Sequence, residues 1–388
     1  MDGDLSSGEQ VLHDLLDAAH LAPPDAIPDT VARFATRLGI LGLAVYLCDV
    51  RQELLVPLGT GDEPLSVDGT LAGLCYRTIR AQHSVAEGRV RLWLPLIDGI
   101  DRLGVIELTM DSCDSAMRRR CETLASVTAL LLISKTAYSD TFPRTRRRER
   151  MSLASEMEWA FMPPLTFGTD RFTISGVIEP AYEVGGDAFD YSLLGDRLQV
   201  SVFDSIGHDL ESGLIASVCL ASCRNARRSG GTLTDIVELA DCAVHERFGS
   251  SRFVTGVLAE LDVTSGLLTW INCGHPVPLL IRGGRVIKQL DRPPRLPLGL
   301  GGSIATQVYE ERLEEGDQVL FYTDGVLEAR SPDGELFGME RLTDLVTRSD
   351  TTALPVAESL RRLARTLVEY QNGRLRDDAT AVLLQWRP

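Results

Sequence analysis

Apolar positions in residues 9–37 recur with helical spacing, with Val11, Leu12, Leu15 and Leu16 preceding a break at Pro23-Pro24. Short strand-like runs follow at Leu41–Cys48, Leu54–Leu58, Arg91–Ile97 and Leu103–Thr109, with turn signals such as Asp98-Gly99 between them. Leu71–Gln82 reads as a helix, and Ser115–Lys135 as a longer one whose sticky stripe is Met117, Cys121, Leu124, Val127 and Leu131. Residues 136–150 are polar and basic. The segment Met151–Met162 places Leu153, Met157, Ala160 and Phe161 on one helical face before Pro163-Pro164 ends it.

From Phe172 onward β-branched runs dominate: Phe172–Val177, Arg197–Phe203, Val254–Leu261, Gly266–Asn272, Pro278–Ile281, Asp317–Tyr322 and Ala379–Gln385. Helical segments at Leu210–Ser229, Leu233–Arg247 and Pro355–Tyr370 interrupt them in blocks. Grouped strands and helices predict a layered α+β fold with sheets inside and helices outside. A chain of 388 residues suits two domains, expected at 1–138 and 166–388 with a helical linker at 139–165. Two amphipathic helices around a linker either pair across a homodimer or each pack on their own domain, and the sequence leaves both open.

Composition is ordinary for a globular protein, with 44% hydrophobic and 24% charged residues. No run reaches the roughly 18 apolar residues of a membrane span, and the N-terminus MDGDLSSGEQ has no secretory character, so a cytoplasmic protein without a membrane is expected. A net charge of −16 argues against nucleic acid as a partner. The basic run Arg144–Arg150 reads as a solvated linker. None of the eight cysteines forms a CxxC pair, so they are expected as small buried thiols.

Candidate chemistry lies in aspartates at strand ends. Asp187 sits in Val184-Gly-Gly-Asp187, Asp204 ends Leu198–Asp204, Asp324 follows Val319–Thr323, and Asp377-Asp378 precede Ala379–Leu384. Each alone is as easily a turn cap. Four converging together would repel unless cations lie between them. Hard oxygen ligands without a histidine or cysteine cluster select Mg²⁺ or Mn²⁺, and two such ions about 4 Å apart can activate a water against phosphorus.

The first half resembles a GAF domain through Gly69-Thr-Leu-Ala-Gly-Leu-Cys-Tyr76, Arg91-Leu-Trp-Leu-Pro-Leu-Ile97 and Leu103-Gly-Val-Ile-Glu-Leu108. That resemblance implies a sensor with an unidentified small ligand; ordinary structural roles are expected for His83 and Cys75. Residues 150–388 resemble the metal-dependent PPM (type 2C) protein phosphatases of the bacterial SpoIIE-like branch. The motifs are Gly185-Gly-Asp187, the segment around Asp204, Asn272-Cys-Gly-His-Pro276, Pro297-Leu-Gly299, Tyr322-Thr-Asp-Gly-Val326 and Arg376-Asp-Asp-Ala-Thr380. The resemblance implies an α-β-β-α sandwich, with Asp187, Asp204, Asp324 and Asp377 as catalytic ligands of two Mn²⁺ or Mg²⁺ ions. It adds the Ser205 carbonyl to the set and makes Asp377 rather than Asp378 the ligand.

The central motif departs from the family. Phe203-Asp-Ser-Ile-Gly-His-Asp209 carries Phe203 and Asp209 where glycines are usual, an expected source of a reshaped rim or slower turnover. His208 is a candidate proton donor or phosphate contact, against the plainer role of a loop histidine, and His275 is expected to shape its loop. The implied activity is hydrolysis of phosphoserine or phosphothreonine by metal-activated water, without a covalent intermediate. The implied substrate is a phosphorylated regulatory protein of the anti-anti-sigma type. The rival reading is a catalytically silent scaffold that binds a partner protein.

Overall fold

The Pro23-Pro24 break divides the first apolar stretch into α1 (Ser7–Leu21) and α2 (Ile27–Arg37), joined by one 3-10 turn. The computed structural model describes residues 7–59, 62–183, 185–207, 209–301, 306–348, 355–373, 375 and 377–387. They form two compact units, Met1–Glu149 and Arg150–Pro388.

In the first unit α2 leads into β1 (Gly42–Cys48), β2 (Leu54–Pro57), β3 (Leu65–Ser66), α3 (Leu71–Thr78), β4 (Gln82–Ala86), β5 (Arg89–Asp98), β6 (Asp101–Met110), α4 (Ser115–Thr136) and α5 (Thr141–Arg146). The strands make one antiparallel sheet in the order β3-β2-β1-β6-β5-β4. Alternation along β1 and β5 separates its faces. Val45, Leu47, Leu92 and Leu94 join α1, α2 and α4, whereas Tyr46, Cys48 and Trp93 join Ala72, Cys75 and Tyr76 of α3.

Three expectations change here. α3 stops at Thr78 instead of Gln82, because Ile79 takes a left-handed φ of 54° and the chain turns into β4. The buried stripe of α4 is rotated, with Ala125, Thr128, Ala129 and Leu132 inside and Val127 and Leu131 at its margin. Much of the basic run is docked: the Arg146 Nε donates to the Cys48 carbonyl at 2.9 Å, and Glu149 pairs with Arg51 at 3.0 Å. Residues 139–149 thus belong to the first unit.

The second unit begins with α6 (Leu153–Phe161). It continues through β7 (Thr166–Gly168), β8 (Phe172–Glu179), β9 (Asp187–Leu194), β10 (Arg197–Ser205), α7 (Leu210–Arg228) and α8 (Leu233–Phe248). Then come β11 (Val254–Asp262), β12 (Leu267–Cys273), β13 (Leu279–Arg282), β14 (Arg285–Gln289), β15 (Tyr309–Arg312) and β16 (Gln318–Tyr322). Last are α9 (Asp324–Glu328), α10 (Gly338–Arg348), α11 (Val356–Tyr370) and β17 (Ala379–Trp386).

Two antiparallel sheets result, β15-β12-β11-β10-β9 and β14-β13-β16-β17-β8-β7. Leu198, Val200 and Val202 of β10 meet Phe172, Phe321 and Val382 of the other sheet in a shared core. On the first sheet's outer side, Phe203, Leu258 and Ile271 pack on α7 and α8. On the second sheet's outer side, Val177, Leu320 and Leu383 pack on α11 and Val326 of α9. The layers are helix, sheet, sheet, helix, as period-two strands buried on both faces require.

Within its unit α6 buries the side opposite its apolar stripe. Ala154, Ser155 and Glu158 are buried, whereas Leu153 and Phe161 are exposed. The reason lies on α7, where a Cβ at Gly213 would stand 3.3 Å from the Ala154 Cβ. At that approach the α6 position facing Gly213 takes a small residue, Ala154, whatever the apolar period says. Among the described residues no helix is long and apolar enough to cross a membrane.

Candidate active site

Asp204 and Asp187 are register partners on β10 and β9, so the first sheet presents two carboxylates side by side at one end. The second sheet brings two more. β16 ends at Tyr322, Thr323 caps α9, and Asp324 is the first residue of that helix. Asp377-Asp378 immediately precede β17, whose Ala381 pairs with Tyr322. The Thr323 Oγ1 donates to the Asp187 Oδ2 at 2.7 Å, joining the two sheets at this point.

Two glycines make the convergence possible. A Cβ at Gly325 would lie 1.9 Å from the Asp378 carbonyl oxygen, so only glycine lets the two strand ends approach. A Cβ at Gly186 would lie 2.8 Å from the Gly207 carbonyl oxygen and 3.0 Å from that of Ser205. The Gly186 carbonyl in turn accepts from the Ser205 N–H at 3.1 Å. Ser205 is buried, and its Oγ donates to the Ser212 carbonyl at 2.9 Å, tying the end of β10 to α7.

Burial grades across the cluster. Asp187 is 2% exposed, Asp204 is half-buried, and Asp324 and Asp377 are exposed. Burial drives the Asp187 carboxyl well above the usual carboxylate range, Asp204 and Asp378 add to this, and the Thr323 and Thr380 hydroxyls oppose it. Asp204 is pushed up to about 8 by burial and then by Asp324 and Asp377. Asp324 is raised by burial of its inner side, then by Asp377 and Glu328. Among the described residues, no arginine or lysine is a leading influence on Asp187, Asp204 or Asp324. Among the described residues, no three His, Cys, Asp or Glu side chains close on one point as a complete ligand shell. The carboxylates stand as a succession of neighbours instead.

Asp378 faces inward. It is buried, and its Oδ2 accepts the Gly185 N–H at 2.8 Å, so it anchors the turn before Asp187. His275 is likewise structural. Asn272 brackets it, accepting its N–H at 2.8 Å and donating to its carbonyl at 2.9 Å, and the Thr255 Oγ1 lies 3.0 Å from the Nδ1. Burial drops its imidazole to about 3, so it is neutral at ordinary pH. His208, Val184 and Arg376 lie outside the described residues.

The departures at 203 and 209 are accommodated. Phe203 is a fully buried strand residue, and its partner across the ladder is Gly256, where a Cβ would come within 2.7 Å of the Phe203 Cδ1. Asp209 is extended and caps α7, its Oδ1 accepting the Ser212 N–H at 2.9 Å. The turn itself is made by Gly207 at φ 94°. A missing glycine at 203 or 209 therefore strains nothing.

Thr323, Thr380 and Glu158 escape a reading by motif. Thr323 and Thr380 were visible only as neighbours of the acidic residues. Glu158 is hidden in a helix whose periodicity points to the opposite face.

With this geometry in place, residues 195–387 match the family described as stage II sporulation protein E (SpoIIE). These residues are a SpoIIE-family domain, of the PP2C phosphatase type. Asp187 and α6 precede the matched span of the SpoIIE domain. Protein IcfG of Synechocystis sp. is 23% identical over 271 residues, covering 62% of this chain and 42% of IcfG. The phosphoserine phosphatase RsbU of Bacillus subtilis is 22% identical over 249 residues, covering 62% of this chain and 73% of RsbU. The crystal structure of the RsbU and RsbW domains of Rv1364c from Mycobacterium tuberculosis is similar with a TM-score of 0.51 at 27% identity, over 58% of this chain and 63% of that one. The SiaA-PP2C domain of Pseudomonas aeruginosa shares the fold at a TM-score of 0.51 and 22% identity, over 60% of this chain and 94% of that one.

Proposed function

We propose that the protein is a metal-dependent serine/threonine protein phosphatase whose first unit is a GAF-like regulator. The observation that carries this reading is the pairing of Asp187 with Asp204, with Asp324 and Asp377 beside Asp204. The donor set fits a hard divalent cation, because it is all oxygen. Asp187, Asp204, Asp324, Asp377 and the Ser205 carbonyl would hold Mn²⁺ or Mg²⁺. When bound, these ions supply Lewis acidity and an acidified water.

The chain's own groups prepare the site. Thr323 orients Asp187, and Asp378 fixes the Gly185 peptide. The exposed Asp324 and Asp377 form the mouth through which a phosphorylated side chain enters. Two relatives are phosphoserine phosphatases by name, RsbU and RsbP of Bacillus subtilis. Phosphoserine or phosphothreonine on a regulatory protein of the anti-anti-sigma type is accordingly the proposed substrate. His208 remains a candidate proton donor. Phe203 and Asp209, the departures that motivate a silent-scaffold reading, are ordinary core and capping residues here, which supports the enzymatic one.

Phosphate release from a phosphoserine peptide, with Mn²⁺ and with chelator, tests the proposal. Activity should require Mn²⁺, and Asp204→Ala should abolish it. Retention of more than about a tenth of the rate, only ~1.4 kcal/mol of barrier, would reject the assignment.

A further inference from the structure

Glu158 is fully buried in the second unit, and neither carboxyl oxygen makes a hydrogen bond of full geometry among the described residues, the Gly186 N–H approaching it without closing one. An acid in that state is costly, and a helix that merely packed would carry an apolar residue there. Its surroundings are specific. Glu158 and Ala154 stand one turn apart on α6 against Gly213 of α7, where a Cβ would lie 3.4 Å from the Glu158 Oε1. The Gly186 N–H also acts on the carboxyl, favouring its charged form against burial. Gly186 belongs to the turn that Asp378 grips through the Gly185 N–H and that Ser205 grips through the Gly186 carbonyl.

We propose that Glu158 is a positioning residue for Asp187, backing the Gly185-Gly186 turn from α6 and fixing the peptide from which the Asp187 carboxyl projects. This rests on the reading of Asp187 as a metal ligand. The turn then has three supports, Asp378 at Gly185, Ser205 at the Gly186 carbonyl and Glu158 at the Gly186 N–H. Removing the third lets the Gly186 peptide rotate, because glycine has no side chain to hold it. Burial, and then Asp378, push the Glu158 carboxyl up to about 9, so its neutral form prevails at ordinary pH. Glutamine is then a close mimic in shape, charge and acceptor.

Manganese titration by calorimetry on the full chain, paired with metal-free thermal melts, tests the role without relying on turnover. Glu158→Gln should bind Mn²⁺ like the wild type. Glu158→Met, of similar length but without an acceptor, should bind it about 10–100-fold more weakly, as losses of outer-shell partners do. Asp187→Asn serves as the reference. An unchanged Mn²⁺ affinity in Glu158→Met, while Asp187→Asn loses binding, overturns the positioning role and leaves the site reading intact. Unchanged binding in Asp187→Asn overturns the site reading instead. A tenfold loss in Glu158→Gln also overturns the proposal, since the acceptor is retained. Should Glu158→Met fail to fold, Glu158→Asp takes its place. Its carboxyl is withdrawn by one methylene and must weaken Mn²⁺ binding, and wild-type affinity there overturns the proposal.

Discussion

The Thr323 hydroxyl donates to the buried Asp187 carboxyl at 2.7 Å while accepting the Thr380 N–H at 2.9 Å. One side chain thus links the end of β16, the start of β17 and the first residue of β9. Thr323→Val keeps the shape but removes donor and acceptor together, leaving a buried carboxyl and a buried N–H without it. It should destabilise the protein by about 1–3 kcal/mol and weaken Mn²⁺ binding, whereas Thr323→Ser should restore both. Denaturant melts and metal titrations of the two variants check this.

The metal-free protein should lose stability as pH rises from about 6.5 to 8. In the folded state Asp204 holds its proton up to about 8 and Glu158 up to about 9, both far above ordinary carboxylates. The native state therefore binds more protons than the unfolded chain in that window, so the stability slope with pH is negative. His275, lowered to about 3, acts in the opposite sense only below the ordinary histidine value, and so leaves the window clear. With Mn²⁺ present the slope should flatten or reverse, because deprotonated ligands favour the ion. Thermal melts with chelator and with Mn²⁺ across this range decide it, and a positive slope in chelator would contradict the assignment.

The aspartates stand out in the sequence because each lies at the border of an apolar strand-like run, a local pattern, with glycine beside Asp187 and Asp324. Asp187, Asp204, Asp324 and Asp377 needed no knowledge of which strands pair. Thr323 and Glu158 were not legible, since their roles exist only across sheets or between helices. The buried face of α6 is not legible for a related reason. Periodicity favours Leu153 and Phe161, but Gly213 on α7 decides which face can approach, and that information lies about 55 residues away in the chain. How Phe203 is accommodated is likewise not legible, because its partner Gly256 is a register neighbour, not a sequence neighbour.

That pairing can be tested directly. A Cβ at Gly256 meets the Phe203 ring at 2.7 Å. Gly256→Ala should cost about 1–3 kcal/mol as overpacking. Phe203→Leu shortens the ring side of the same contact, so the double variant should be less destabilised than the sum of the two single changes. Additive effects in a denaturant-based double-mutant cycle would mean that the two positions do not share the space described.

Asp324 offers the sharpest separation between fold and site. In the absence of metal its carboxyl is raised, first by burial and then by Asp377 and Glu328, so like charges contribute repulsion at the mouth of the cluster. Asp324→Asn removes one of those charges at nearly constant volume, so the metal-free protein should melt at the same temperature as wild type or higher. Metal, in contrast, binds the folded site and stabilises by mass action, about 2.7 kcal/mol at a hundredfold excess over its dissociation constant. A variant with one coordinating charge fewer should gain much less from the same Mn²⁺ concentration. The two effects have opposite signs and come from one substitution, so a general loss of structure cannot imitate them. An unchanged Mn²⁺ shift in Asp324→Asn would show that this carboxylate is no ligand, and a lower metal-free melting temperature would show that its charge is held by an attraction instead.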